Sequence, residues 1–298
     1  LPEFHRRMRV VMDGLEGTSE LLLVDDGSSD GSLEIMRHLE AADVSVRVLS
    51  LSRNFGHQVA ITAGMDHARG AAVIIIDADL QDPPEVIPNL VREWQSGAEL
   101  VLAVRSSRRG ETWFKRTSAT LFYRLIDRLT DLHLPKDSGD FRLMDRKVVD
   151  ALGKVREHHR FMRGLSVWVG FTRAEVEYMR DERFAGRSKY SLRSMLRFAT
   201  DGITSFSQVP LQLAMTLGFI FAGVALLGIP AIVTLRFSGS REFFGQATTL
   251  VSVLLLGGVQ LICLGIVGEY LGRIYNEVKK RPLYLIAGKW GFEGDREE

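Results

Sequence analysis

In the first third of the chain, segments with hydrophobic residues at strand spacing alternate with segments that have them at helical spacing. Short apolar runs, continuous or alternating with polar residues, predict strands at residues 20–25, 44–51, 71–77 and 99–104. Apolar residues at helical spacing between these runs predict helices at residues 1–15, 32–41, 58–68 and 84–95. Strands that alternate with helices are typical of βαβ units, so the pattern predicts an α/β domain with a mostly parallel, Rossmann-like sheet.

Two long apolar runs break this alternation in the last third of the chain. Residues 210–235 and 249–268 contain no charged side chain. A helix of either length can cross a hydrocarbon core of about 30 Å. The link between the runs is short, so the pattern predicts a C-terminal two-helix transmembrane hairpin, with spans at about 210–235 and 249–272.

Basic residues are distributed unequally around the hairpin. Arg187, Lys189, Arg193 and Arg197 precede the first span, Lys279, Lys280 and Arg281 follow the second, and the link carries only Arg236 and Arg241. Positive residues stay on the cytoplasmic side, which predicts a multi-pass inner-membrane protein with the α/β domain and both termini in the cytoplasm. The predicted boundaries are 1–185 (α/β domain), 186–208 (juxtamembrane amphipathic segment), 209–275 (hairpin) and 276–298 (cytoplasmic tail).

Composition narrows the range of partners. The chain has 38 basic and 37 acidic residues, a net charge of +1, which gives no compositional case for nucleic acid binding. Cys263 is the single cysteine, so no intramolecular disulfide can form, and we interpret it as a small apolar residue of a helix. Because the chain begins at Leu1 without a methionine, we expect the natural N-terminus to lie further upstream.

The segment VIIIDADLQD, residues 73–82, carries the strongest candidate chemistry. It places Asp77 and Asp79 at the carboxyl end of a buried strand, where open α/β sheets bind ligands. Carboxylate oxygens are hard ligands that suit Mg²⁺ or Mn²⁺, which would bridge and neutralise a diphosphate. Asp-x-Asp alone is a weak signal because it is short and frequent. Gln81 lies close enough in sequence to complete the set.

Three further polar segments are candidates for ligand contacts. The turn VDDGSSDGS, residues 24–32, offers Asp26 and Ser28 to a nucleotide, although such residues also cap helices. The segment KDSGDFRLMDR, residues 136–146, offers Asp140 to an acceptor and Arg142 to a phosphate, or forms an acidic loop with an internal ion pair. Arg187 and Lys189, in FAGRSKYS, would contact a phosphate or anionic lipid headgroups.

Together these segments resemble the polyprenyl-phosphate glycosyltransferases, the membrane-anchored branch of glycosyltransferase family 2. The likeness is greatest to the bacterial bactoprenol glucosyltransferases and extends from about residue 15 to the C-terminus. The segments that carry it are VDDGSSDGS, LSRNFGHQVAITAGMDHARG, IIIDADLQDPPEVI, SGDFRLMDRKV, RFMRGLSVWVGF, GRSKYSL and GGVQLICLGIVGEYLGRIYNEVKKRPLY.

The resemblance implies a GT-A fold and inverting, metal-dependent transfer of a sugar, with Mg²⁺ or Mn²⁺ as cofactor. We expect glucose to pass from UDP-glucose to undecaprenyl phosphate at the bilayer; GDP-mannose or another sugar nucleotide is an alternative donor, and self-association is open. The implied roles are catalysis for Asp140; nucleotide-sugar binding for Asp26, Ser28, Asp77, Asp79 and Arg105; metal binding for Asp77, Asp79 and Gln81; and lipid-phosphate binding for Arg142, Arg187 and Lys189.

Two features leave alternatives open. The family opens with a central strand ending in a Pro-x-Tyr-Asn-Glu-like turn, and this chain matches it only from the first helix onward. We therefore expect the sheet to lack an interior strand, and a non-catalytic, membrane-anchored binding protein is an alternative for this form. Asp140 would either orient the acceptor or remove its residual proton, because a phosphate monoester with a second pKa of about 6 is already largely ionised at pH 7.

Two other protein classes fit the sequence less well. A receiver domain would share the acidic strand ends, but it needs a lysine on a later strand, and the strand at 99–104 is followed by Arg105. A processive polysaccharide synthase would need more spans and a Gln-x-x-Arg-Trp segment, which the chain lacks.

Overall fold

The computed structural model describes residues 1–105, 138–179, 207–237 and 246–292. The chain divides into two compact units. The first combines Leu1–Gly202 with Arg281–Glu298, and the second is Ile203–Lys280. Of the predicted juxtamembrane segment at 186–208, only residues 207 and 208 are described. Arg187 and Lys189 lie outside the described residues.

The first unit is an α/β domain, as the hydrophobic pattern predicts. Its described strands are β1 (Leu21–Asp25), β2 (Val46–Leu51), β3 (Ala72–Ile75), β4 (Leu100–Arg105), β5 (Ser138–Asp145), β6 (Arg173–Tyr178) and β7 (Ile286–Trp290). Its described α-helices are α1 (Pro2–Asp13), α2 (Ser32–Ala42), α3 (His57–His67), α4 (Ile87–Gln95), α5 (Arg146–Lys154) and α6 (Met162–Trp168). The four strands and four helices predicted in the first third are confirmed with small shifts of their ends.

The described strands form two mixed sheets, so the prediction of a mostly parallel sheet is wrong. One sheet has the order β1-β2-β7, with β1 and β2 parallel and β7 antiparallel to β2. The other has the order β3-β5-β4-β6, in which β5 runs antiparallel to both neighbours and β4 and β6 are parallel. The strands β5 and β7 make the sheets mixed, and neither was predicted as a strand.

A cavity of about 910 Å³ separates β1 from β3. It is lined by apolar side chains of both strands and of α1 and α3, among them Leu23, Ile74, Met8 and Ile61. No described strand joins β1 to β3 across it. The cavity lies at the position of the interior strand that the family resemblance implies and that we expect this sheet to lack. That expectation stays a prediction.

Part of the predicted cytoplasmic tail at 276–298 belongs to the first sheet, and the cytoplasmic location of the tail stays a prediction. Strand β7 pairs with β2, placing Trp290 opposite Val48 and Gly288 opposite Ser50. The Arg37 guanidinium lies 5.0 Å from the centre of the Trp290 ring, a cation–π contact that ties α2 to β7. A segment with this pairing is a structural part of the α/β unit.

The second unit contains the two long apolar helices α7 (Val209–Phe237) and α8 (Gln246–Val278). Among the described residues, one segment is long and apolar enough to cross a membrane, Leu255–Val278 of α8, and α7 contributes the shorter apolar stretch Val209–Val224. Cys263 of α8 lies against α7, with its Sγ 3.8 Å from the Ala214 carbonyl oxygen. The structure therefore supports one candidate span, and the two-span hairpin stays a prediction.

Candidate functional site

Two carboxylates predicted from separate motifs meet at one imidazole. Asp77 follows the end of β3, and Asp140 lies in β5, the strand that pairs with β3. His57, the first residue of α3, has its Nε2 atom 3.3 Å from Asp140 Oδ2 and 3.8 Å from Asp77 Oδ1. The structure thus brings the predicted metal ligand and the predicted catalytic aspartate into a single site.

Asp140 is a buried carboxylate surrounded by cationic groups. Arg163 of α6 donates from Nε to Oδ1 at 2.9 Å and from Nη2 to Oδ2 at 2.8 Å, and Arg142 Nη2 lies 3.6 Å from Oδ1. Burial alone would raise the pKa of Asp140. The hydrogen bonds from His57 and Arg163 and the charges of both arginines outweigh burial and hold that pKa far below its usual range. Asp140 is therefore ionised across the physiological pH range and is a weak base.

Asp77 is shifted in the opposite direction. Burial raises its pKa, and of its charged neighbours the nearby His57 opposes this while Asp140, Asp82 and Asp79 add to it. Negative charge therefore accumulates at the end of β3. A bound cation would lower the free energy of such a site, because it would offset both the desolvation of the Asp77 carboxylate and its repulsion by the neighbouring carboxylates.

The turn after Asp77 is held in a fixed shape. Asp79 Oδ1 accepts a hydrogen bond from the Gln81 backbone N–H at 3.0 Å. Leu80 has a positive φ of 62°, which is uncommon outside glycine, and its side chain is buried. A turn that keeps a leucine in this conformation is constrained by its surroundings, which fixes the two aspartates relative to each other.

The residues at this turn fit a divalent cation that takes most of its ligands from elsewhere. Among the described residues, no group of three or more His, Cys, Asp or Glu side chains is arranged to hold a metal. Asp77 and Asp79 supply hard oxygen donors in a region of excess negative charge. Mg²⁺ commonly binds through one or two carboxylates with water and substrate phosphates completing its shell, and the donor set matches that pattern.

His57 and Arg163 both contact Asp140 at the candidate site, and neither was among the site residues predicted from the sequence. Contact with Asp140, followed by the charges of Asp77 and Asp140, raises the pKa of His57, although burial opposes this. His57 stands 83 positions from Asp140 in the chain, and Arg163 stands 23 positions from it. Two signals were available: His57 begins a helix after a strand-end turn, a position where open sheets bind ligands, and both residues lie in segments that carry the family resemblance.

A buried polar network lies beside the site. The Tyr178 hydroxyl donates to Asp82 Oδ1, and Arg105 donates from Nε to the Tyr178 hydroxyl at 3.3 Å. Burial, and then the bond to Asp82, raise the pKa of Tyr178 to about 12. A Cβ on Gly139 would lie 2.7 Å from Arg105 Nη2, so this glycine makes room for the guanidinium. The predicted diphosphate contact of Arg105 stays a prediction.

Arg142, predicted from the sequence to contact a phosphate, is a buried arginine whose donors bind protein oxygens. Its side chain is 1% exposed, and it donates to the backbone oxygens of Gly139, Asp140 and Met162 and to Ser166 Oγ. Burial lowers its pKa to about 10, with the Asp140 charge opposing, so it remains a cation at pH 7. Its bonds to Met162 and Ser166 hold β5 against α6, and the lipid-phosphate contact predicted for Arg142 stays a prediction.

The predicted nucleotide-binding turn is joined to the turn after β2. Asp26 accepts hydrogen bonds from the backbone N–H groups of Phe55 at 2.7 Å and Gly56 at 2.9 Å. Asp25 is buried, accepts from Ser50 Oγ at 3.0 Å, and accepts from the Ser28 N–H at 3.0 Å. A carboxylate has about four acceptor positions. These bonds therefore leave Asp26 able to accept from a nucleotide, and that role stays a prediction.

Known proteins resemble nearly the whole chain. A family model described as glycosyl transferase family 2 matches residues 11–153. An uncharacterized glycosyltransferase of Bacillus subtilis, YkcC, is 48% identical and aligns over 99% of this chain and 91% of its own length. The SfII prophage-derived bactoprenol glucosyl transferase of Shigella flexneri is 44% identical, with 96% and 93% covered. A prophage bactoprenol glucosyl transferase homolog of Escherichia coli is 41% identical, with 96% and 94% covered.

We predict that Gly27→Ala destabilises the protein more than Gly31→Ala. Both glycines have positive φ, 66° and 78°, so both substitutions impose a backbone cost of about 1–2 kcal/mol. A Cβ on Gly27 would also lie 2.5 Å from the Arg53 carbonyl carbon and 2.6 Å from the Asn54 nitrogen, whereas a Cβ on Gly31 meets open space. Thermal unfolding should show an additional loss of about 1–3 kcal/mol for Gly27→Ala. Equal losses in the two variants would show that the turn at Gly27 and the turn at Arg53 and Asn54 are not in close contact.

We predict that Arg142→Met costs about 3–5 kcal/mol of folding free energy, because Asp140 and several carbonyl oxygens would stay buried with fewer partners. Arg92→Met is the matched control, since Arg92 is exposed and bonds only to Asn89 among the described side chains. Denaturant unfolding measures both variants. A small loss for Arg142→Met, comparable to the control, would contradict the structural role.

Proposed function

The chain belongs to glycosyltransferase family 2, and from this premise we propose that it transfers a sugar from a nucleotide sugar to a polyprenyl phosphate. The names of the Shigella and Escherichia coli relatives refer to a glucosyl group and to bactoprenol. Our specific proposal is therefore glucose as the sugar, UDP-glucose as the donor and undecaprenyl phosphate as the acceptor. The product is a sugar linked through phosphate to the lipid, with inverted configuration at the anomeric carbon.

The observation that carries this proposal is the contact of His57 with both Asp77 and Asp140. Asp77 belongs to the region of excess negative charge, which suits a cation and the diphosphate of a donor. Asp140 belongs to a region with two arginines, which suits an anionic acceptor. A reaction between two phosphorylated substrates needs two such regions in contact, since the reacting atoms must approach to about 3–3.5 Å.

Asp77 and Asp79 would hold Mg²⁺ or Mn²⁺, with Gln81 beside them. When bound, the ion would supply charge neutralisation at the diphosphate, which is the leaving group of the transfer. The chain's own part is to keep the two carboxylates in place through the constrained turn at Leu80 and the hydrogen bond from Gln81 to Asp79. Arg105, tethered by Tyr178, is the cationic side chain proposed for the same diphosphate.

In the proposed reaction, a phosphate oxygen of the acceptor forms a bond to the anomeric carbon as the bond from that carbon to the donor diphosphate breaks. The acceptor attacks from the face opposite the leaving group, which produces inversion. No strong base is required, because the phosphate monoester is largely ionised near pH 7. Of the two roles considered for Asp140, its low pKa favours orientation of the site over proton removal.

The apolar helices would keep the site near the lipid. The Leu255–Val278 segment has the length and composition of a membrane span, and a polyprenyl acceptor resides in the bilayer. We propose an inner-membrane enzyme with its α/β unit on the cytoplasmic side. The predicted second span within α7 and the lipid-phosphate contacts of Arg187 and Lys189 belong to this proposal.

The full chain in detergent should transfer radiolabelled glucose from UDP-glucose to undecaprenyl phosphate in the presence of Mg²⁺ or Mn²⁺, with the label recovered in the organic phase. Asp79→Ala should reduce transfer by about 10²-fold or more, because it removes a carboxylate from the cation site. Asp150→Ala is the control, since Asp150 is exposed on α5. Transfer that proceeds in chelator, or that survives Asp79→Ala, would refute the metal site. Labelled lipid from GDP-mannose alone would correct the donor.

Asp140→Asn should reduce kcat by a similar factor, about 10²-fold, at pH 6 and at pH 8. The pKa of Asp140 is held below its usual range, so its carboxylate is ionised at both pH values and its removal costs the same at each. The acceptor's own titration affects wild type and variant alike. Rates measured across pH 6–8 test this, and a clearly smaller loss at pH 8 would restore proton removal as the role of Asp140.

A further inference from the structure

We propose that Gln58 is a positioning residue for the transfer: its amide oxygen joins the start of α3 to the start of α6, so that His57 and Arg163 reach Asp140 together. Gln58 Oε1 accepts a hydrogen bond from the Met162 backbone N–H at 2.9 Å, across 104 positions of the chain. Gln58 was not among the site residues predicted from the sequence. The inference deepens the proposed transfer and rests on it.

The hydrogen bond lies at the start of both helices. Gln58 directly follows His57, the first residue of α3, and Met162, the first residue of α6, directly precedes Arg163. Backbone N–H groups in the first turn of a helix have no partner within that helix and are satisfied from outside it. The residue that precedes α6 makes no side-chain cap, so Gln58 supplies this partner from another helix.

These contacts form a closed ring. From Asp140, one path leads through His57 to Gln58, and another leads through Arg163 to Met162. The hydrogen bond between Gln58 and Met162 closes the ring. In a closed ring the position of each member restricts its neighbours, so the loss of this bond would also loosen the two contacts with Asp140.

Met162 is a fixed point to which Gln58 can attach α3. Its side chain is buried, and its carbonyl oxygen accepts a hydrogen bond from Arg142 Nη1 at 3.3 Å. On the other side, Asp26 accepts from the backbone N–H of Gly56, immediately before α3. The first turn of α3 is therefore held to β1 through Asp26 and to α6 through Gln58.

The ring lies between the two halves of the candidate site, because His57 contacts Asp77 as well as Asp140. Reacting groups that must approach to about 3–3.5 Å tolerate little displacement. Gln58 acts on this geometry through a bond to the protein backbone, so its loss would displace the site without removing a contact to either substrate. We therefore expect Gln58 to affect kcat and to leave the KM of both substrates nearly unchanged.

Kinetics of the full chain in detergent test this assignment. Gln58→Met keeps the length of the side chain but removes the accepting oxygen, and it should lower kcat by about tenfold while the KM for UDP-glucose and for undecaprenyl phosphate change less than about twofold. Gln58→Glu keeps an accepting oxygen and should recover kcat to within about threefold of wild type. Gln95→Met is the matched control, because it makes the same substitution at an exposed residue of α4 and should change none of these values.

A double-mutant cycle with Asp140→Asn separates positioning from a general loss of stability. In the Asp140→Asn background, Gln58→Met should lower kcat by less than about twofold, because His57 and Arg163 there lack the charged carboxylate that aligns them. A substitution that only reduced the folded fraction would lower kcat by the same factor in both backgrounds. Equal factors in the two backgrounds, or equal losses of kcat in Gln58→Met and Gln58→Glu, would overturn the inference.

Hydrogen–deuterium exchange of the full chain supplies a readout that needs no substrate. The backbone N–H of Met162 should exchange about tenfold faster in Gln58→Met and at nearly the wild-type rate in Gln58→Glu. This pattern in a chain that transfers no glucose would keep the contact of Gln58 while refuting the proposed donor. Unchanged exchange at Met162 in Gln58→Met would show that Gln58 does not hold α6, whatever the rate of transfer.

Discussion

The arrangement of the site depends on keeping one buried carboxylate charged. An ionised aspartate with almost no exposure to water carries a large desolvation cost unless cations and hydrogen bonds replace the solvent. Asp140 obtains those partners from three different elements: His57 from α3, Arg163 from α6 and Arg142 from its own strand β5. Because each partner must stay within contact distance, the single charge fixes the relative positions of α3, α6 and β5 around the end of the sheet.

The same electrostatics separate the roles of two nearby carboxylates. Asp77 and Asp140 share an imidazole, yet burial and neighbouring carboxylates raise the pKa of Asp77 while cations lower that of Asp140. A pair of carboxylates with opposite shifts is a recurring sign that an enzyme site assigns them different tasks. Here the difference follows from the charges already present: Asp77 has one imidazole and three carboxylates around it, whereas Asp140 has two arginines and the same imidazole. The donor's metal and the acceptor's anion would each supply what its own half of the site lacks.

The sequence predicted the parts of this site that have a local pattern. Asp77 and Asp79 follow an apolar run, so their position at a strand end could be inferred from the sequence alone. Strand β5 could not, because Asp140 and Arg142 occupy buried positions that a strand pattern reserves for apolar side chains. Strand β7 lies after the apolar helices, and its pairing with β2 is a contact across more than two hundred positions. His57 and Arg163 become candidate site residues through their contacts with Asp140, and no spacing in the sequence indicates those contacts.

The turns at the ends of β1 and β2 extend the constraint from Asp140 to the predicted nucleotide turn. Asp26 binds the backbone N–H of Gly56, and the next residue is His57, which contacts Asp140 and Asp77. Gly27 lets the two turns approach so closely that a single Cβ between them would meet the backbone. Displacement of the Asp26 turn would therefore move the start of α3 and with it the imidazole between the two carboxylates. Asp26 therefore helps to position His57, in addition to any contact that it makes with a nucleotide. Both effects would depend on the hydrogen bonds that its carboxylate accepts.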